Sequence, residues 1–369
     1  MNLRRLLSIV VKELRQLRRD RLTFAMIVGI PTMQLLLFGY AINLDIRNLD
    51  AAVLDQAQTA HSREVISALG ETHVMNFKYR LSVPQQLDDL LRAGKISAGL
   101  VIPPDFERRL IVQDRVPMQI VVDGSDQVTQ QAARQLAALP LAGVLTPAGS
   151  QNPNQTVGNV EIVNFYNPER LAPVNTVPGL IGVILTMTMV LFTAMAIVRE
   201  RERGNLEFLI ATPVSPGELT IGKVLPFVGI GLIQTSVVLL LGTLIFHVPI
   251  RGTLLDVYTS ALVFIIASLS LGVFISTLAQ TQFQSMQLAF FTFLPQILLS
   301  GFMFPYAGMP APAQWLAEIF PMTHFVRLIR GIMLRGSGLG DLWPELAALG
   351  AFTVIVLTIA VARTRKRLD

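Results

Sequence analysis

The chain has 369 residues, of which 52% are hydrophobic and only 15% are charged. Soluble domains carry about 25% charged residues, so this composition favours a membrane protein over a soluble one. The formal net charge of +5 does not indicate a nucleic-acid-binding protein, because the basic residues are not gathered on one soluble face. The chain has no cysteine, which excludes disulfides, thiolate metal sites and a cysteine nucleophile.

Residues 1–42 predict a surface helix followed by a membrane span. Leucine and valine recur at helical spacing among basic residues over 1–21, the pattern of an amphipathic helix lying on the cytoplasmic surface of the membrane. The alternative for this segment is a short basic anchor with no further role. Residues 22–42 carry no charged side chain and are long enough to cross a bilayer, which takes about 20 residues.

The segment 43–172 predicts an extracytoplasmic α/β domain inserted after the first span. Strands are predicted at 50–55, 74–81, 96–103 and 116–124, with a helix in each interval and another at 127–145. Alternating strands and helices over this length can bury a core of their own. The Gly- and Asn-rich stretch 146–159 predicts a mobile connection back to the membrane.

The second half of the chain predicts further spans at about 178–198, 224–247, 257–279, 286–305 and 344–362. They lie in charge-free windows, the longest of which is divided by the polar sequence AQTQFQS at 279–285. With 22–42 they predict an α-helical polytopic membrane protein with six transmembrane helices and a membrane domain over 173–369. Buried core helices of a soluble protein are the alternative, but so many long, predominantly apolar segments favour membrane spans.

The basic residues orient these spans. Outside 43–172 there are 19 Lys and Arg, and 15 of them lie in 1–21, in 199–223 and in the C-terminal RTRKRLD. With six spans these three segments fall on one side, which the positive-inside rule makes the cytoplasm. Both termini are therefore predicted to be cytoplasmic.

The cytoplasmic segment 199–223, RERERGNLEFLIATPVSPGELTIGK, concentrates alternating charges between two spans. Charge pairs at helical spacing, such as Arg199–Glu202, Glu200–Arg203 and Arg203–Glu207, can support a short helix. Leu206, Leu209 and Ile210 would add an apolar stripe, and Pro213 would end the helix. Mixed charge beside an apolar stripe favours a docking surface over the alternative, a solvated loop.

Two further sets of polar residues are candidates for a substrate path. Residues 306–335 predict a pair of re-entrant or interfacial helices on the outer side, with His324, Arg327 and Arg330 at successive i, i+3 spacing. Ionisable groups at the membrane border are functional candidates. The alternative is that both arginines reach lipid headgroups and that His324 caps a helix. Gln34 and Gln296 lie inside predicted spans, where they either line a path or hold helices together.

No catalytic motif stands out in the sequence. GELTIGK at 217–223 matches the first seven positions of a P-loop, but Val224 stands where a Ser or Thr hydroxyl would bind Mg²⁺. Apart from Glu345, which borders the last charge-free window, the spans contain no carboxylate of the kind that proton- or ion-coupled carriers use. We therefore expect a non-enzymatic subunit that depends on a separate ATPase.

Three stretches carry a resemblance to a known family. YNPERLAPVNTVPGLIGVIL at 166–185, the segment 199–223, and PMTHFVRLIRGIMLRG at 321–336 resemble the signature regions of ABC-2 type exporter permeases. Within that family the chain is similar to the branch with a large extracytoplasmic domain after the first helix, which includes bacterial multidrug-type permeases. Asn205 departs from the family pattern, in which threonine is commoner.

The resemblance implies a permease subunit with six transmembrane helices of the ABC-2 exporter type and an inserted extracytoplasmic α/β domain. Such a subunit exports a small hydrophobic or amphipathic compound by alternating access, driven by a separate ATPase that holds ATP and Mg²⁺. It sits in the bacterial inner membrane as a dimer with a second copy or a paralogue. A periplasmic adaptor and an outer-membrane channel are further candidate partners, and no nucleic acid is expected.

The resemblance also assigns roles to residues. The ATPase-coupling residues would be Arg199, Glu200, Arg201, Glu202, Arg203, Gly204, Glu207, Leu209, Thr212 and Pro213. The candidates for the substrate path come instead from polar residues in or beside the spans: Gln34, Gln296, His324, Arg327 and Arg330. An alternative from another class is a membrane-anchored envelope sensor or scaffold whose extracytoplasmic domain binds a ligand.

Overall fold

The computed structural model describes residues 49–72, 74–112, 114–125, 129–130, 161–169, 171–202, 216–304 and 306–365. Side chains are not described at 216–224, 307 and 364–365. The predicted surface helix 1–21, the first span 22–42, the stretch 146–159 and the predicted helix beyond residue 130 lie outside the described residues. These predictions therefore stay predictions.

The N-terminal part of the described chain forms a five-stranded mixed sheet. Its strands are β1 (Leu49–Asp55), β2 (Met75–Leu81), β3 (Ala98–Ile102), β4 (Gln119–Asp123) and β5 (Glu161–Phe165). The strand order is β2-β1-β3-β4-β5, and the β3–β4 pair is antiparallel whereas the other pairs are parallel. The four predicted strands are present, and β5 was missed.

Helices connect the strands and cover both faces of the sheet. They are α1 (Ala60–Glu71), α2 (Pro84–Arg92) and α3 (Phe106–Val112). Thr59 begins α1 through a reciprocal capping box with Ser62. Successive β1 residues point to opposite faces. Val53 packs in the core that contains Phe106, and Ala52 packs in the core that contains Leu87.

The C-terminal part forms a bundle of long helices. These are α4 (Ala172–Glu202), α5 (Pro216–Leu244), α6 (Leu254–Leu278), α7 (Gln282–Leu299) and α10 (Trp343–Arg365). Among the described residues, α4, the part of α5 from Leu225, α6 and α10 to Arg363 are long and apolar enough to cross a membrane. The apolar window of α6 is 67% buried and that of α10 only 11%. Helix α6 is therefore the centre of the bundle, and α10 presents most of its surface outward.

The predicted span at 286–305 differs from the observed helix. Helix α7 has 18 residues, begins at Gln282 after the N-cap Thr281 and ends at Leu299. At about 1.5 Å per residue it is about 27 Å long, slightly less than a hydrocarbon core of about 30 Å. Because glutamines occupy its first turns, α7 is not among the four helices that meet the length and composition of a span. The count of six spans therefore stays a prediction.

The predicted pair of helices at 306–335 is observed as two short helices. They are α8 (Ala311–Ile319) and α9 (Pro321–Arg330), preceded by a 3₁₀ turn at Tyr306–Gly308 and followed by a π-helical turn at Gly331–Arg335. Pro321 occupies the first turn of α9, where a missing N–H costs nothing. Helix α9 is buried against α4, α6 and α10. The Phe325 ring stacks on Phe264 at a centroid distance of 4.1 Å.

The bundle has two distinct ends. At the sheet end, Arg92 of α2 and Asp123 of β4 contact residues 335–337. This end of the bundle holds the start of α4, the ends of α5 and α7, the start of α10, and α8 and α9. The opposite end holds Arg199–Glu202 of α4 and the turn between α6 and α7. The two sets of candidate residues consequently lie at opposite ends of the bundle.

Candidate coupling and substrate-path sites

At the end of the bundle opposite the sheet, Arg201 caps the C-terminus of α6. Its Nη1 donates to the backbone oxygens of Ser276 at 2.9 Å and Ala279 at 3.0 Å. The last carbonyls of a helix have no partner within the helix and carry partial negative charge. A guanidinium there satisfies two acceptors and stabilises the end of α6.

Glu202, the next residue, binds the N-terminus of α7. Its carboxylate accepts from the backbone N–H of Gln282 at 2.9 Å and from the side-chain amide of Gln282 at 2.5 Å. The first N–H groups of a helix are unpaired and favour negative charge. Arg199 donates from Nε to the Gln282 side-chain oxygen at 3.4 Å.

We call Arg199, Arg201, Glu202 and Gln282 the α4 clamp. Through it the last turn of α4 holds the end of α6 and the start of α7 together. The predicted Arg199–Glu202 pair is wrong, since both side chains contact Gln282 instead. An unpaired backbone N–H at the start of α7 attracts the Glu202 carboxylate more strongly than a neighbouring surface charge does.

Most of the rest of the predicted docking surface lies outside the described residues. Glu200 lies within α4 in the same turn as the clamp. Arg203, Gly204, Glu207, Leu209, Thr212 and Pro213 lie outside the described residues. The P-loop-like residues 217–223 form the first turns of α5, so their backbone is a regular helix rather than the loop that cradles phosphate.

At the sheet end, four charged or titratable residues from three helices meet. We call Glu318 of α8, His324 and Arg327 of α9, and Glu345 of α10 the sheet-end cluster. Arg327 donates from Nη2 to Glu318 Oε1 at 2.6 Å and from Nη1 to Glu345 Oε1 at 3.4 Å. His324 Nδ1 bonds to Glu345 Oε2, and its Nε2 lies 2.9 Å from the backbone oxygen of Glu318. The Tyr306 ring lies 4.5 Å from the Arg327 guanidinium.

The cluster shifts the pKa values of its members. Burial alone would lower the pKa of His324, but its bonds to Glu345 and to the Glu318 carbonyl, with the charges of both glutamates, raise it above its ordinary value. Burial would raise the pKa of Glu318, yet hydrogen bonds from Arg327 and Tyr306 keep it below its ordinary value. The pKa of Arg327 is raised by the same glutamates in spite of its burial.

These contacts decide between the predictions made for this segment. Arg327 does not reach toward lipid headgroups, because it is paired with two glutamates. Arg330 also turns inward and donates to the backbone oxygen of Gly301 at 3.1 Å. His324 Nε2 faces the Glu318 carbonyl in the last turn of α8, the position of a side chain that caps a helix.

A polar cavity of about 300 Å³ separates the sheet from the bundle. Its wall includes Arg327, Arg330 and Glu345 from the bundle and Asp123 from the sheet. Arg335 crosses the gap and bonds to Asp123 at 3.3 Å, with side chains only 12% and 6% exposed. The predicted path residues Arg327 and Arg330 therefore do line one space, whereas His324 is 7% exposed and lies behind it.

Gln296 lies elsewhere. It is fully buried in α7 and donates to the Thr292 backbone oxygen at 3.2 Å. It lines a cavity of about 10 Å³ between α4 and α7, which has room for about one water molecule. The predicted path residues are thus not all brought together, and Gln34 lies outside the described residues.

Sequence reasoning missed Glu318, Glu345, Arg335 and Asp123. The two glutamates were visible only as residues that bound charge-free windows. Asp123 and Arg335 are separated by 212 positions, so no local pattern could join them. The one signal in the sequence was that each of the four is a charged residue next to an apolar segment.

Comparison with known proteins decides the family. A family model described as ABC-2 family transporter protein matches residues 21–362. The chain belongs to the ABC-2 transporter family. The resemblance inferred from the three signature stretches is therefore confirmed, and ABC-2 permeases work with a partner ATP-binding subunit.

Several bacterial relatives of this ABC-2 protein align over nearly the full length. The probable multidrug ABC transporter permease YbhS of Escherichia coli is 30% identical over 99% of this chain and 98% of its own length. YbhR, with the same description, is 28% identical over 98% of this chain and 99% of its own. The inner membrane transport permease YhhJ is 26% identical over 99% of this chain and 98% of its own. With its apolar helices, this chain is a multi-pass membrane protein.

Proposed function

We propose that this chain is the transmembrane permease subunit of an ATP-binding cassette exporter. It moves a small hydrophobic or amphipathic compound out of the cytoplasm or the inner leaflet. ATP and Mg²⁺ bind to a separate ATPase subunit rather than to this chain. Family membership and relatives described as multidrug permeases support the reaction class.

The α4 clamp is the observation that carries the coupling part of the proposal. In the chain, the segment 203–215 connects Glu202, the last residue of α4, to Pro216, the first residue of α5. A force on this segment acts on α4 directly, and on α6 and α7 through Arg201 and Glu202. ATPase closure against 203–215 would therefore move three helices as one unit.

Such a movement supports alternating access. A bundle with two arrangements changes population when a partner binds one arrangement better than the other. In this scheme the opposite end faces the cytoplasm and both termini are cytoplasmic. The protein lies in the bacterial inner membrane as a dimer with a second copy or a paralogue, and a periplasmic adaptor with an outer-membrane channel continues the path.

The test is transport by the permease with its cognate ATP-binding subunit in proteoliposomes. Export of a fluorescent amphipathic compound should require ATP, stop with vanadate and continue with a protonophore. Transport that collapses with the protonophore and ignores vanadate would show a secondary carrier instead.

Glu202→Arg tests the coupling role. It places a positive charge at the N-terminus of α7 beside Arg199 and Arg201, so transport should fall by about tenfold, while membrane insertion stays normal. Glu71→Arg, a charge reversal at the exposed last residue of α1, is the matched control. Normal transport by Glu202→Arg would refute the coupling role, and a sensor or scaffold would also tolerate this change.

A further inference from the structure

His324 is placed so that both of its ring nitrogens face hydrogen-bond acceptors. Nδ1 meets the carboxylate of Glu345, and Nε2 meets the backbone oxygen of Glu318 at 2.9 Å. A neutral imidazole carries one N–H and can donate only one of these bonds. The carbonyl of Glu318 cannot donate, and Arg327 at 3.4 Å from Glu345 favours the ionised carboxylate. Both contacts are satisfied together only by the imidazolium form.

The charges of the sheet-end cluster balance only when that proton is present. Glu318 and Glu345 contribute two negative charges, and Arg327 contributes one positive charge. Protonated His324 makes the cluster neutral. Loss of its proton leaves one uncompensated negative charge where the side chains of His324 and Glu345 are only 9% and 19% exposed. Such a charge is unfavourable in a low-dielectric setting.

The proton also connects separate elements. Thr323 and Arg327 join α9 to α8 independently of His324, with bonds to the Ala317 backbone oxygen and to Glu318. The contact from α9 to Glu345 of α10, by contrast, consists of the His324 bond and the longer Arg327 bond. Without the proton, the neutral imidazole has one N–H for two acceptors and no ionic attraction to Glu345, so the junction between α9 and α10 is weakened.

The groups around His324 are accounted for on each neighbouring element. Helix α8 supplies Glu318, α9 supplies Arg327, α10 supplies Glu345, and the 3₁₀ turn supplies Tyr306. Helices α4 and α6 meet α9 through apolar contacts, since Gly182 and Phe264 both lie against the ring of Phe325. Glu345 and Arg327 also line the polar cavity of about 300 Å³ at the sheet end, which gives the proton a route to the solvent on that side.

We propose that His324 is a proton-binding site that latches α9 to α10, so that proton release toward the sheet side loosens this end of the bundle. The raised pKa of His324 agrees with this. Because the folded pKa lies above the unfolded one, the latch is complete below the unfolded value. It is lost as the pH rises through the folded value. The inference does not depend on which compound is carried.

The experiment measures a distance across the latch as a function of pH. The chain has no cysteine, so Leu316→Cys on α8 and Trp343→Cys on α10, which are 41% and 65% exposed, can carry two spin labels in the full-length protein in lipid nanodiscs. Electron–electron distance measurements should give one narrow distribution at low pH. The distribution should broaden and lengthen in a single titration between about pH 5 and 9.

Two variants and a control identify the group that titrates. His324→Gln should abolish the pH dependence, and Glu345→Gln should move its midpoint down by about 1–3 pH units because it removes the opposing charge. His61→Gln, which alters a histidine of α1, should leave the wild-type titration unchanged. A wild-type distribution that is constant over this range would overturn the proposal. An unshifted titration in Glu345→Gln would do the same, even if His324→Gln failed to fold.

Discussion

Arg201 and Glu202 are neighbours in the chain but serve two different helix ends. The arginine satisfies carbonyls at the end of α6, and the glutamate satisfies N–H groups at the start of α7. The signs of the two charges match the partial charges of those termini. The first residues of the alternating charge pattern at 199–223 thus bind helix ends within the bundle.

Asp123 and Arg335 form the comparable pair at the sheet end. Asp123 is buried, Arg335 is only 12% exposed, and the pair joins the sheet to the π-helical turn. Arg335→Met leaves a buried carboxylate without its partner, which should lower the free energy of unfolding by about 3–5 kcal/mol. Thermal unfolding in nanodiscs measures this loss.

The double variant Asp123→Asn/Arg335→Met distinguishes the loss of the ion pair from other effects of either substitution. It removes both charges and should recover part of the stability that Arg335→Met loses. Lys78→Met breaks an exposed ion pair with Asp50, whose side chains are 49% and 40% exposed, and should change stability little. Equal effects of Lys78→Met and Arg335→Met would contradict a buried pair.

Helix packing in the bundle depends on close approach at small residues. At Gly272 of α6, an added Cβ would come within 2.9 Å of the Val190 backbone oxygen and of Thr193 on α4. Backbone cannot yield as a flexible side chain can, so α4 and α6 must separate for any larger residue. This contact holds the helix that carries the clamp against the most buried helix.

Gly272→Ala should therefore lower the free energy of unfolding by about 1–3 kcal/mol, the usual range for overpacking. Gly350→Ala is the matched control, because no atom lies within 4 Å of the added Cβ on α10. That control should be neutral or stabilising by about 1 kcal/mol from helix propensity. Thermal unfolding of both variants checks the pair, and similar values for the two would argue against tight α4–α6 packing.

The whole molecule places the sheet at one end of the bundle and the clamp at the other. Single cysteines in the cysteine-free chain can show which end faces outward. Suitable positions are Ile111 on α3, beside the sheet, and Phe283 at the start of α7, which are 71% and 60% exposed. In intact spheroplasts a membrane-impermeant maleimide should label Ile111→Cys, whereas Phe283→Cys should react only after permeabilisation. The reverse pattern would refute the proposed orientation.

Periodicity and composition determined the elements of the described chain well. The four strands, the three connecting helices and the long apolar helices follow from alternation, apolar length and proline positions, which are local properties. Strand β5 was missed because five residues after a Gly- and Asn-rich stretch carry too short an alternating pattern. The span 286–305 was predicted to end six residues too late because the C-terminal boundary of α7 at Ser300 and Gly301 lies inside a continuous charge-free window.

By itself, the sequence determined the membrane class, the family and the places where charges concentrate, because these depend on composition and on short local motifs. Only the tertiary structure decided what the charges do. Arg201 and Glu202 proved to be caps on helices about 80 residues away, and His324 and Arg327 proved to be neutralised by Glu318 and Glu345 from two other helices. The free energy of a charge depends on its partners and burial, and folding, not chain position, brings those partners together.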